Sequence, residues 1–165
     1  MLSLYQICQF IEDSQIGTAI RESQIVFPVI ESFHVLGLAV SAGTIVLLDL
    51  RLTGLGMQRV LPAQLMHRLK AWYITGFILM MITGGLLFWA EAEKLYRSPT
   101  FRWKLVFLVI AGLNAAYYEF KYVPKMNHWD GNTSLPSGAK LAGWCSLISW
   151  AAVIGFGRWT AYGLK

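Results

Sequence analysis

Long apolar segments alternate with short polar ones along this chain of 165 residues. A run of about 20 apolar residues is long enough to cross the hydrocarbon core of a bilayer as a helix. Four such runs occur, and we predict four membrane-spanning helices at about residues 24–50, 69–90, 101–122 and 139–161. Thr100 is the predicted N-cap of the third helix.

The first 20 residues carry a shorter helical pattern. Apolar positions recur at helical spacing opposite polar ones, at Leu4, Ile7, Cys8 and Ile11. This stretch is too short to cross a bilayer, so we predict that residues 1–20 form a helix on the membrane surface, broken at Gly17. The predicted fold is all-α: a single membrane domain over residues 1–165, built as an integral membrane four-helix bundle with a short N-terminal interfacial helix.

Composition agrees with a membrane domain. Hydrophobic residues make up 56% of the chain and charged residues 14%, whereas soluble domains carry about 25% charged residues. The formal net charge is +5, but the basic residues flank the apolar runs rather than form one patch, so the predicted partner is the lipid bilayer and not nucleic acid. Small residues four positions apart, as at Gly37 and Ser41, also favour association with copies of the chain or with other membrane subunits.

One histidine lies well inside the first predicted span. His34 is about ten residues, or roughly 15 Å, from the helix end that faces the N-terminal side of the membrane. Ionisable groups at such depth are costly and tend to mark functional sites. No nucleotide-binding, zinc-protease or hydrolase motif occurs in the sequence, so it identifies no catalytic residues and leaves enzyme activity uncertain.

The first interpretation is that His34 is an axial ligand of one b-type haem. Haem iron accepts one histidine, or histidine with methionine, so Met80, Met81 or no side chain supplies the sixth ligand. Three cations near the same end of the spans suit the haem propionates: Arg158, Lys104 and Arg102. The protein would then serve as an electron-transfer or accessory subunit.

Two other interpretations of His34 remain open. Glu31 lies three positions earlier on the same helix face, so the two side chains could form a proton-accepting or hydrogen-bonded pair. Alternatively, His34 is a neutral histidine that is hydrogen-bonded to a neighbour such as Asn114 or Ser41. In that case the protein is cofactor-free and structural.

A second cluster of possible metal ligands lies near the two loops on the other side of the membrane. Thioether and imidazole groups suit Cu(I), and the candidate copper ligands are Met66, His67, Met126 and His128. Copper handling is therefore the alternative to haem binding. Asp49 and Arg51, at the same end of the first span, are interpreted as a snorkelling charge pair that fixes helix depth.

A set of spaced residues resembles an uncharacterised family of small four-helix bacterial membrane proteins. The pattern comprises Glu31-x-x-His34-x-x-Gly37, Gly43, Asp49-x-Arg51-x-x-Gly54, Trp72, Thr83-Gly84, Phe101-x-x-Lys104 and Asn114. More distantly, these residues are similar to the CopD-type copper-resistance membrane domain and to b-type cytochrome bundles. The resemblance covers about Ser23 to Tyr122.

The resemblance implies electron transfer through haem, or copper handling, in a multi-pass protein of the bacterial inner membrane. Di-haem cytochrome bundles carry four histidines inside the bundle, whereas only His34 lies well inside here. The resemblance therefore implies one haem or none, and it transfers only His34 as a ligand.

Overall fold

The computed structural model describes residues 3–128 and 135–163, and these residues are almost entirely helical. The α-helices are α1 (Leu4–Glu12), α2 (Gln15–Glu22), α3 (Val26–Thr53), α4 (Pro62–Ala90), α5 (Ala92–Arg97), α6 (Pro99–Lys121) and α7 (Ser137–Gly163). A 3₁₀ helix, Val123–His128, follows α6. The all-α prediction is confirmed.

Three of the described helices are long and apolar enough to cross a membrane: α3, α4 and the Ser137–Thr160 part of α7. These helices support a location in a membrane. The fourth predicted crossing corresponds to α6, which is 23 residues long and is not among the three. Its apolar run is interrupted by Lys104, Asn114 and Glu119.

The four long helices pack in the order α4, α3, α7, α6, and the two outer helices, α4 and α6, do not pack closely against each other. α3 packs against α4 on one side and α7 on the other, and α6 packs against α7. No Cα atom of α4 lies within 8 Å of a Cα atom of α6. A cleft therefore separates α4 from α6, with α3 and α7 behind it.

α3 and α4 approach each other closely through small residues. A Cβ atom on Gly76 would lie 2.7 Å from the backbone N of Ser41 and 2.9 Å from the carbonyl O of Gly37. Only a residue without a side chain permits this approach, and small residues are the usual means by which membrane helices bring their backbones together. The predicted small-residue face of Gly37 and Ser41 is thus the contact face of α3 with α4.

The single N-terminal helix predicted for residues 1–20 is instead two short helices. The break falls at Ser14, whose hydroxyl accepts a hydrogen bond from the backbone N–H of Gly17 at 3.2 Å and caps α2. The prediction that Gly17 breaks the helix was wrong. Gly17 lies inside α2, where a Cβ atom would stand 2.5 Å from the carbonyl O of Glu12, so glycine permits close contact with the end of α1.

Two helix starts also differ from the predictions. α4 begins at Pro62 rather than near residue 69, since proline is well suited to the first helical turn. The N-cap of α6 is Ser98 rather than Thr100, because the Ser98 hydroxyl accepts the hydrogen bond from the backbone N–H of Phe101 at 3.3 Å.

Candidate functional site

His34 lies half-buried on α3 against α4. Its Nδ1 atom is 3.0 Å from the carbonyl O of Met80 and 3.1 Å from Oγ1 of Thr83. A carbonyl oxygen can only accept, so Nδ1 must carry the hydrogen of the neutral ring. Thr83 Oγ1 itself donates to the carbonyl O of Leu79 at 2.7 Å, which leaves it free to accept from His34.

These contacts fix the tautomer and orientation of the ring. With the hydrogen on Nδ1, the lone pair of the neutral imidazole is on Nε2. A backbone carbonyl that accepts from one ring nitrogen commonly orients a metal-binding histidine and makes the other nitrogen a better ligand. The geometry therefore suits His34 to ligation or hydrogen-bond acceptance through Nε2.

Gly84 provides the space that the ring occupies. A Cβ atom on Gly84 would stand 3.0 Å from Cε1 and 3.4 Å from Nδ1 of His34. The close approach of α3 and α4 at Gly37 and Gly76, one to two turns away, brings the ring within reach of the α4 backbone.

The partners predicted for a hydrogen-bonded His34 were wrong. Glu31 is exposed, and no hydrogen bond or ion pair joins it to His34 in the described part of the chain. Asn114 donates instead to the carbonyl O of Ala142 on α7 at 2.9 Å. Ser41 is buried, and its Oγ has no hydrogen-bond partner among the residues described.

The two methionines predicted near His34 lie in different environments. The side chain of Met80 is buried in a cluster with Ala42, Trp150 and Val153. Met81 is 49% exposed. His34 thus contacts the backbone of Met80, while the thioether of Met80 takes part in packing between helices.

Of the three predicted cations, Lys104 is the half-buried one. Its side chain runs beside α7, where a Cβ atom on Gly157 would be 3.7 Å from Cε of Lys104. Arg158 is exposed and donates to the Tyr162 hydroxyl at 2.6 Å. Arg102 is also exposed and donates to the carbonyl O of Tyr96 at 3.0 Å.

The predicted copper ligands are only partly brought together. Met66 and Met126 are buried in one apolar cluster with Leu48 and Leu52, whereas His67 is exposed on α4. His128 belongs to the 3₁₀ helix, but its side chain lies outside the described residues. Within the described ranges, no group of three or more His, Cys, Asp or Glu side chains is placed to hold a metal ion.

A cavity of about 330 Å³ lies in the cleft between α4 and α6. No pattern in the sequence predicted it. Its walls are mainly apolar and aromatic, and its polar lining includes Asp49, Asn114, Tyr118 and Ser146. His34 is not part of this lining.

Asp49 was misinterpreted as half of a snorkelling pair. Its side chain is only 4% exposed and faces the cavity. Arg51 is also buried and donates through Nε to the carbonyl O of Val60 at 2.6 Å, which ties the end of α3 to the following loop. The signal that could have placed Asp49 inside was its spacing of seven residues from Ala42, which is buried on the same helix face.

Two polar atoms at the cavity lack hydrogen-bond partners among the described residues: Oδ2 of Asp49 and the hydroxyl of Tyr118. Both side chains are more than nine-tenths buried. Buried polar atoms are nearly always hydrogen-bonded, so each exception calls for an explanation.

The sequence profile of a family of unknown function, DUF6644, matches residues 9–163. This range spans well over half of the chain, and the chain belongs to this family. No curated protein and no solved structure matches the chain. Membership agrees with the predicted resemblance to an uncharacterised family, whereas the comparisons give no support to the more distant similarity to CopD-type domains or b-type cytochromes.

Proposed function

We propose that this member of DUF6644 is a four-helix integral membrane protein of the bacterial inner membrane. In this proposal it binds one b-type haem through His34 and acts as an electron-transfer or accessory subunit. The observation that carries the proposal is the hydrogen bond from His34 Nδ1 to the carbonyl O of Met80, because it leaves Nε2 as the free ligand atom.

The four-helix arrangement requires α6 to cross the membrane. At ~1.5 Å per residue its 23 residues extend about 34 Å, enough for a hydrocarbon core of about 30 Å. Two of its polar side chains, Lys104 and Asn114, contact α7 rather than lipid. Polar residues in membrane helices normally face the protein interior in this way.

The residues around His34 are chemically suited to haem. A haem iron would supply one-electron redox chemistry at this position. His34 would hold the iron, and Met81 or no side chain would be the second ligand, since the thioether of Met80 is buried in the packing between helices. Lys104 is the half-buried one of the three cations proposed to pair with the haem propionates, while Arg158 and Arg102 are exposed.

The visible spectrum of the purified protein, expressed with added 5-aminolaevulinate, tests this proposal. We expect a Soret band that is lost in His34→Ala and kept in Glu31→Gln, a matched control on the same helix with an exposed side chain. A wild-type protein that is folded but has no Soret band would rule out haem binding.

The alternative is a cofactor-free structural or copper-handling membrane protein. The joint burial of Met66 and Met126 in one cluster supports copper handling, since thioethers suit Cu(I). Metal analysis of the same preparation distinguishes the two. Copper that is lost in Met66→Leu and Met126→Leu would favour this alternative, with His67 and His128 as the candidate imidazole ligands.

We further propose that the protein associates with copies of itself or with other membrane subunits. The support is a set of outward small residues: a Cβ atom would contact nothing within 4 Å at Gly43, Gly85 or Gly155. Such positions permit close approach of another helix. We expect Gly43→Leu to weaken an oligomer detected by crosslinking in native membranes, and a monomeric wild type would contradict the self-association.

A further inference from the structure

The cavity between α4 and α6 has a position typical of a site for a lipid-soluble molecule. No Cα atoms of α4 and α6 lie within 8 Å of each other, so only side chains bridge the two helices, as at the ion pair of Lys70 with Glu119 and the stacked rings of Phe88 and Phe101. The cavity lies in this wide gap. Ile74 and Phe77 of α4 line one wall, and Leu108 and Gly112 of α6 line the other. A molecule dissolved in the bilayer could reach it without crossing a polar surface.

Its size and lining suit a ring with part of an alkyl tail. Small-molecule sites are generally apolar cavities of about 300–1,000 Å³ with a few placed polar groups, and an apolar cavity of about 150 Å³ is enough for benzene. At about 330 Å³ this cavity is larger than that. Tyr73, Phe77 and Trp150 provide aromatic surface against which a flat ring can pack.

The polar end of the cavity suits a ligand group that can both donate and accept a hydrogen bond. A carboxylate oxygen of Asp49 can accept a hydrogen bond, and the hydroxyl of Tyr118 can donate one. Neither atom has a partner among the described residues. An acyl chain would fill the apolar space but would leave both atoms unsatisfied. A ring hydroxyl has the chemistry for both contacts, because it donates one hydrogen bond and accepts another.

We propose that the cleft between α4 and α6 binds a lipid-soluble phenol or quinol, whose ring hydroxyl donates to Asp49 and accepts from Tyr118. The tail leaves between α4 and α6 toward the bilayer. This site is separate from His34, so it does not depend on haem binding. The proposal concerns binding alone and includes no electron transfer.

The test uses the full chain in phosphatidylcholine nanodiscs, with empty nanodiscs subtracted to remove partitioning into lipid. Isothermal titration compares 4-nonylphenol with its methyl ether, 4-nonylanisole, which keeps the shape but has lost the hydroxyl donor. We expect the phenol to bind at least about tenfold more tightly, since an unpaired buried polar group weakens binding by about this factor or more. Decylubiquinol and decylubiquinone form a second pair, and we expect the quinol to bind more tightly because the quinone has no hydroxyl donor. The affinities of decylubiquinol and 4-nonylphenol then distinguish a quinol from a simple phenol.

Two variants with nearly unchanged size test the polar contacts. We expect Asp49→Asn and Tyr118→Phe each to reduce phenol affinity by about tenfold, while Glu31→Gln leaves it unchanged. Equal affinity for the phenol and its methyl ether, or unchanged phenol binding in both variants, would overturn the proposal.

A filled cavity provides a test that does not alter Asp49 or Tyr118. A Cβ atom on Gly112 would contact nothing within 4 Å, so Gly112→Leu should fold and occupy the space meant for the ring. Leu113→Ala, at an exposed neighbouring position, is the control. Binding that is abolished in Gly112→Leu and kept in Leu113→Ala would support the proposal, and full binding in Gly112→Leu would refute it.

Discussion

The hydrogen on His34 Nδ1 is shared between two acceptors that both belong to α4. The carbonyl O of Met80 lies 3.0 Å from Nδ1, and Thr83 Oγ1 is held in place by its own bond to the carbonyl O of Leu79. A ring held by two acceptors and by contact with Gly84 has little freedom to turn. The consequence is one defined direction for Nε2.

This restraint predicts a difference between two neighbouring glycines. Gly84→Ala places a methyl group 3.0 Å from Cε1 of His34, whereas Gly85→Ala meets nothing within 4 Å. Overpacking typically costs about 1–3 kcal/mol, so we expect Gly84→Ala to be less stable than Gly85→Ala by about that amount. Unfolding of the two variants in mixed detergent and sodium dodecyl sulfate measures the difference. Equal stability would mean that the ring moves freely.

At the residue scale, the sequence singled out His34 as a candidate but did not predict its hydrogen-bond partners. A lone histidine in an apolar run is visible in the sequence, yet its acceptors are a backbone carbonyl and a threonine 46 and 49 positions away. Asp49 was misread for a related reason. Its neighbour Arg51 suggested a local charge pair, while the side chain turns toward α6 and α7, whose positions no local pattern specifies.

At the scale of helices, α1 is attached to α5 by a polar cluster. The Tyr5 hydroxyl donates to Glu93 at 2.8 Å and accepts from Arg97, and Gln9 donates to the Tyr5 hydroxyl at 3.0 Å. The hydrogen bond from Tyr5, followed by that from Gln9 and the charge of Arg97, lowers the pKa of Glu93. The ionised form of Glu93 therefore stabilises the docked position of α1.

The docking of α1 should depend on pH. Because the folded-state pKa of Glu93 is depressed, its contribution to stability is fully present above the ordinary carboxyl pKa and is lost as the pH falls through the lowered pKa. Cys8 is buried on α1, so its thiol becomes accessible when α1 detaches. In a Cys145→Ser background, the rate at which Cys8 reacts with 4,4′-dithiodipyridine, divided by the rate in unfolded protein at the same pH, measures this detachment. In the Glu93→Gln variant we expect Cys8 to react readily even at neutral pH. Protection of Cys8 in the parent protein that stays constant as the pH is lowered from 7 to the onset of global unfolding, followed by circular dichroism, would contradict the role of Glu93.

The contact between α3 and α4 predicts a second helix-scale effect. In Gly76→Ala the new methyl group would meet backbone atoms of Ser41 and Gly37, which cannot turn aside as a side chain could. The helices must separate, so we expect a loss of at least about 1–3 kcal/mol. Gly43→Ala, where a Cβ atom meets nothing within 4 Å, is the control. Thermal unfolding followed by circular dichroism compares the two, and a Gly76→Ala protein as stable as Gly43→Ala would show that the contact is loose.

The long apolar runs correctly predicted that the long helices exist, but not where each helix begins and ends. α4 begins at Pro62 because proline is tolerated in the first helical turn. The helix therefore extends beyond its apolar run. The N-terminal region was misread because Ser14 is a capping residue, whereas Gly17, usually a helix breaker, serves here for contact between α1 and α2.

At the scale of the whole molecule, the open packing order creates the cleft. Helix length and hydropathy say nothing about which pairs of helices remain apart, since this depends on contacts between residues distant in sequence. The contact of Gly143 on α7 with Leu52 and Thr53 on α3 helps to set the back of the cleft. An exposed ion pair, Lys70 with Glu119 at 2.7 Å, joins α4 to α6 at one end of it.

The crossing of α6 can be tested by the accessibility of three exposed positions. Gln58 precedes α4, Lys94 lies between α4 and α6, and Lys125 follows α6. In a background with Cys8→Ser and Cys145→Ser, each position is replaced singly by cysteine and labelled in intact spheroplasts with a membrane-impermeant maleimide. If α4 and α6 both cross, Gln58→Cys and Lys125→Cys react from one side of the membrane and Lys94→Cys from the other. Lys125→Cys that reacts from the same side as Lys94→Cys would mean that α6 does not cross, and the proposed four-helix arrangement would then be wrong even though the three apolar spans remain.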